Sequence, residues 1–136
     1  MILCDAGPLV ALIDRSDPHH SDCKAALDLL GDETWLTTWP CLTEAMYLVY
    51  RVGGHPAQDE LWQYAARGAL QLHGPAADEW PWMRDLMMQY SNLPMDLADA
   101  SLVVVAERRG IHRICTLDHD FTIYRISGKD AFDIVP

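Results

Sequence analysis

Short apolar runs alternate along this chain with longer segments in which apolar residues recur every three or four positions. The opening run Ile2-Leu3-Cys4-Asp5 and the β-former-rich Thr34-Trp35-Leu36-Thr37-Thr38 read as strands. Ala69 to Leu72, His112 to Thr116 and Phe132 to Val135 supply three more. Between them, Pro8 opens a short helix through Ile13, because proline is tolerated in a first helical turn. A second helix begins at Asp17-Pro18 and ends near Gly31, with Ala25, Ala26, Leu29 and Leu30 suited to one face. Pro40 starts a helix to about Val52, stopped by Gly53-Gly54, and Pro56 starts another to about Arg67. Ala76 to Tyr90 reads as a long helix.

The segment Leu97–Arg109 carries conflicting signals. Val103-Val104-Val105 favours a strand. Its length, its acidic start and the ending Glu107-Arg108-Arg109-Gly110 favour a helix. Apolar residues all round predict that this helix is buried. Strands alternating with helices imply an α/β fold: a three-layer α/β/α arrangement around a parallel sheet of about five strands. The length of 136 residues predicts one domain, 1–136.

Half of the residues are hydrophobic, enough for an ordinary core. No apolar stretch approaches the ~20 residues a membrane span needs. Asp5 follows only three apolar positions with no early Lys or Arg, so no signal peptide and a cytoplasmic location are expected. Cys4, Cys23, Cys41 and Cys115 lack metal-ligand spacing and read as free, buried thiols. The net charge of −10 argues against broad attraction to nucleic acid. It does not exclude a nuclease, since a site built from carboxylates adds negative charge itself.

Six carboxylates stand in apolar surroundings or just beyond strands. Burying an ionised carboxylate is costly unless it is paired or holds a metal, and a hard divalent cation relieves the repulsion within a cluster. Asp5 ends the first strand, where it could equally cap the next helix. Glu44 shares a helical side with Cys41, Tyr47 and Leu48, although the helix macrodipole alone would also favour it near an N-terminus. Asp96 suits a helix cap, whereas Asp99 shares its side with Met95, Leu102, Val103 and Ala106 and is expected to face a site. Asp118 and Asp120 follow the fourth strand, a position where Asp also serves ordinary turns. His19, His20 and His119 lack a metal-binding spacing and read as surface residues. The tryptophans and Met83, Met87 and Met88 read as core or interface, a dimer surface among them.

Four blocks in this order resemble the PIN-domain ribonucleases, the group that includes VapC-type toxins of toxin–antitoxin pairs. They are Met1 to Leu12, Thr37 to Ala45, Asp96 to Leu102, and Thr116 to Phe121. Each is weak alone; the ordered set, spanning residues 1 to about 125, is specific. The resemblance implies a PIN-like α/β/α domain and an acidic pocket for Mg²⁺ or Mn²⁺. It implies a metal-dependent endoribonuclease acting on single-stranded or structured RNA. It also suggests a homodimer and, for a toxin, a small antitoxin partner. Carried over, Asp5, Glu44, Asp99 and Asp118 form the catalytic and metal-binding quartet, with Asp96 and Asp120 in support. The alternative is a catalytically inactive PIN-like module that binds RNA or protein. A phosphorelay receiver fits less well, because Asp5 has no acidic neighbour and Lys129 follows no clear strand. A metal-dependent phosphatase would share the metal chemistry and differ in substrate.

Overall fold

Five short parallel strands form one sheet in the order β3-β2-β1-β4-β5. They are β1 (Ile2–Cys4), β2 (Trp35–Thr38), β3 (Leu70–His73), β4 (Arg113–Cys115) and β5 (Asp133–Val135). This computed structural model describes all residues, 1–136. The helices are α1 (Ala6–Ile13), α2 (His20–Leu30), α3 (Trp39–Ala66), α4 (Trp80–Gln89) and α5 (Leu97–Arg109). Successive strands first build outward from β1 to β3, and the chain then crosses back to place β4 on the other side of β1. The reversal makes β1/β4 the switch point of the sheet, where the loops beyond the strand ends diverge and leave a crevice.

The core joins the sheet to the helices around it. Ile2, Leu3, Cys4, Ile114 and Cys115 are fully buried at the centre of the sheet. The middle of α5, Ala98 to Ala106, is buried throughout, so the valine run packs inside the molecule as part of a helix, as its capping signals and length predict. Gly110 ends it in the left-handed conformation (φ 66°), which glycine adopts without Cβ penalty. All four cysteines are free and buried, as expected, and burial pushes the Cys23 thiol up to about 12.

Several boundaries move for local reasons. The first helix starts at Ala6 rather than Pro8, because the Asp5 carboxylate takes the Ala6 N–H at 2.7 Å. The second starts at His20, since Asp17 uses its carboxylate to hold the His19 N–H in a turn. The helix expected from Ala76 begins only at Trp80. Glu79 turns inward instead, pairing with His73 Nε2 at 2.8 Å and Arg108 Nε at 3.3 Å. A 3₁₀ turn at His119–Thr122 had no clear signal in the sequence.

The span α3 is a helical hairpin. Trp39 and Trp62 meet at 6.5 Å between ring centroids, and Gln58 Nε2 donates to the Met46 carbonyl at 3.1 Å. The reversal falls at Gly54 (φ 64°, ψ −153°), as the Gly53-Gly54 stop predicts. That conformation is confined essentially to glycine. Gly54→Ala meets no steric obstacle closer than 3.8 Å, so its cost is backbone strain. We expect it to lower unfolding free energy by about 1–3 kcal/mol, read as a lower urea midpoint.

Candidate active site

Asp5, Glu44, Asp96, Asp99 and Asp118, with Ala6, Gly7 and Leu117, line one open cleft of about 390 Å³. It lies at the switch point. Asp5 follows β1 directly and extends its ladder by donating its N–H to the Cys115 carbonyl at 3.0 Å. Asp118 follows β4 after Thr116 and Leu117. Glu44 comes from the first turns of α3, and Asp96 and Asp99 come from the start of α5.

Hydrogen bonds hold four of the five carboxylates, those of Asp5, Asp96, Asp99 and Asp118. Thr116 donates its hydroxyl to Asp5 Oδ2 at 2.8 Å and accepts the Asp118 N–H at 3.1 Å, so one side chain orders both acids across the strand ends. Asp96 caps α5 in a reciprocal box with Asp99: Asp96 Oδ1 accepts the Asp99 N–H at 2.8 Å, and Asp99 Oδ2 accepts the Asp96 N–H at 3.4 Å. Tyr124, fully buried, donates its hydroxyl to Asp99 Oδ2 at 2.9 Å. Across the cleft, Thr38 caps α3 and meets Ser101 Oγ at 2.6 Å, which ties the start of α3, and with it Glu44, to α5.

Burial differs among the acids. Asp5 and Asp99 are 8% and 6% exposed, whereas Glu44, Asp96 and Asp118 lie open at the rim. The apolar company expected for Glu44 is only partial: Cys41 is buried, but Tyr47 is exposed. Asp120 does not line the cleft; its N–H is taken by Asp118 Oδ1 at 2.9 Å in the 3₁₀ turn. His19 and His119 are exposed, as expected, and line a neighbouring cavity of about 300 Å³ together with Asp22 and Asp118.

Protonation follows from this crowding. Asp99 is pushed up to about 7, first by burial and then by Asp96, against the lowering effect of the Tyr124 hydrogen bond. Burial also raises Asp5, opposed by its bonds from Thr116 and Ala6. Partial desolvation followed by Asp96, Asp5 and Asp118 raises Glu44. Burial holds the Tyr124 hydroxyl well above its usual range, so it remains a donor.

The donor set in the cleft is all carboxylate oxygen, which suits a hard cation such as Mg²⁺ or Mn²⁺. No three His, Cys, Asp or Glu side chains are grouped tightly enough to chelate one ion by themselves. Mg²⁺ fits such a site, because it keeps several waters and takes only one or two carboxylates directly.

The sequence reading did not single out Thr116, Tyr124 or the Thr38–Ser101 contact. Thr116 left a faint signal, a hydroxyl ending an apolar strand; Tyr124 left none, since its partner lies 25 residues away.

The pattern of the PIN domain family matches residues 2–127, and the chain belongs to that family of nucleases. It is 27% identical to Ribonuclease VapC26 of Mycobacterium tuberculosis (strain ATCC 25618 / H37Rv) over 136 residues, covering 99% of this chain and 100% of that one. Its fold is similar to that of M. tuberculosis VapC20, described as a sarcin–ricin loop cleaving toxin, with a TM-score of 0.84, 18% identity and full coverage of both chains. It is also similar to a chain of VapBC2 from Rickettsia felis bound to a DNA fragment from their promoter, with a TM-score of 0.71, 17% identity and full coverage of both. The α/β sandwich expected from the alternating pattern is therefore the PIN fold. No helix is long and apolar enough to cross a membrane.

Proposed function

We propose that this chain is a metal-dependent endoribonuclease of the VapC type, cutting phosphodiester bonds in single-stranded or structured RNA. The observation that carries the reading is the convergence of five carboxylates from four separate parts of the chain on one open cleft. A bound Mg²⁺ or Mn²⁺ would neutralise charge at phosphorus and activate the attacking water.

The protein's own part is positional. Asp5 and Asp99 would hold the ion as principal ligands, with Asp118 a third or water-mediated one. Glu44, at the open rim, would hold a second ion or orient the attacking water. Asp5 accepts hydrogen bonds through both oxygens, yet each carboxylate oxygen has a second lone pair to offer the cleft. Asp96 chiefly caps α5 and adds negative charge at the rim, and Asp120 supports the turn that carries Asp118.

Two partners follow from the same reading. The similarity to VapBC2 supports a small antitoxin as one partner, which would inhibit the chain by covering the acidic cleft. A second copy of the chain would meet α4 and the start of α5, where Trp80, Met88 and Leu97 are exposed beside Met83 and Met87 around an apolar depression.

The test is cleavage of labelled single-stranded RNA and of a structured RNA loop. Cleavage is expected with Mg²⁺ or Mn²⁺ and lost with EDTA. Activity that survives EDTA would refute a metal-dependent mechanism. Tight RNA binding without turnover at saturating metal would favour an inactive binding module.

A further inference from the structure

We propose that Tyr124 is a positioning residue for the Asp99 carboxylate: its hydroxyl clamps Oδ2 and leaves Oδ1 turned to the cleft. This rests on the reading of Asp99 as a metal-holding group. Three observations carry it. The hydroxyl donates to Oδ2 at 2.9 Å, the Asp96 N–H reaches the same oxygen at 3.4 Å, and no protein donor occupies Oδ1. The ring itself cannot wander. It is fully buried and packed edge-on against Phe121 (5.1 Å) and Tyr90 (5.0 Å). Tyr90 is held in turn, since its hydroxyl accepts the Arg125 N–H at 3.2 Å.

The contact also joins two parts of the site. Thr116, Asp118 and Tyr124 lie on one short stretch around the 3₁₀ turn. That stretch touches Asp5 through Thr116, supplies Asp118 and braces Asp99. Without the Tyr124 hydroxyl, Oδ2 keeps only the long Asp96 contact, and the carboxylate is freer to rotate. Hydrogen-bond partners behind a ligating carboxylate typically matter 10–100-fold in metal affinity or activity.

The experiment measures Mn²⁺ binding to the full chain, by calorimetry and by Mn²⁺ electron paramagnetic resonance, alongside RNA cleavage. Tyr124→Phe removes one oxygen and keeps the ring. It is expected to bind Mn²⁺ at least about 10-fold more weakly and to recover part of its activity at higher metal concentration. Tyr90→Phe loses a hydroxyl from the same aromatic cluster without touching a carboxylate. It is expected to bind Mn²⁺ as the wild type does, whatever happens to its melting temperature. Equal Mn²⁺ affinity in Tyr124→Phe and wild type would overturn the proposal. So would equal weakening in both variants, which would mark a general packing effect. Wild-type protein that binds no Mn²⁺ would instead overturn the reading of the acidic cleft, and this inference with it.

Discussion

Asp99→Asn is expected to lower metal-dependent RNA cleavage by about 10²–10³-fold, the scale on which one electrostatic group at a reacting centre acts. The same variant should not lower the melting temperature of the metal-free protein at pH 8. Asp99 is almost wholly buried, and burial together with the neighbouring Asp96 disfavours its charged form. An amide is neutral and nearly the same size. It can still accept from Tyr124 through its oxygen. Activity and stability should therefore move apart, as expected where a protein maintains charge repulsion for function. The check is a pair of measurements on one preparation: the cleavage rate at saturating Mg²⁺ or Mn²⁺, and a thermal melt in EDTA. Activity within about tenfold of wild type would remove Asp99 from the site. A steep fall in melting temperature would mean that it serves the fold instead.

The second large effect is on pH and metal together. In the metal-free protein, Asp5, Glu44 and Asp99 all have folded-state values above their ordinary ones, Asp99 reaching about 7 against 3.8. Between those limits the folded state binds more protons than the unfolded chain. Stability therefore falls as pH rises through this window. Glu33 has the opposite sign, because its bond to the N-terminal ammonium lowers its value. Its contribution is present above the ordinary 4.5 and is lost as pH falls through the lowered value, below most of that window. Melting temperature in EDTA should thus decline from about pH 5 to pH 8. Mg²⁺ or Mn²⁺ should reverse the decline, most strongly at the alkaline end where the carboxylates are ionised. At a metal concentration 100 times Kd the gain is about 2.7 kcal/mol. A metal-free melt that is flat or rising across this range would contradict the crowded-acid reading. A metal effect equal at pH 5 and pH 8 would contradict carboxylate ligation.

Local pattern went far in this chain because its elements are short and sharply punctuated. The five strands and the buried helix Leu97–Arg109 follow from apolar runs, acidic starts and basic or glycine stops, all properties of neighbouring residues. The break at Gly54 was legible for the same reason. Boundaries slipped where a side chain chose a partner that local pattern does not reveal. Ala76 does not open a helix because Glu79 turns in to His73 and to Arg108, a residue on another element.

The candidate site divides along the same line. That Asp5, Glu44, Asp99 and Asp118 were the acids to watch could be argued from apolar neighbours, strand ends and the order of four motifs. The amino-acid sequence alone thus determined the order of elements, the burial of α5 and the candidate acids, because each depends on spacing along the chain. Only the tertiary structure decided that Asp118 rather than Asp120 lines the cleft, that Asp96 shares it while capping α5, and that Thr116 and Tyr124 hold the acids in place. Those outcomes rest on hydrogen bonds between residues as many as 111 positions apart, and no periodicity along a chain encodes a partner at that distance.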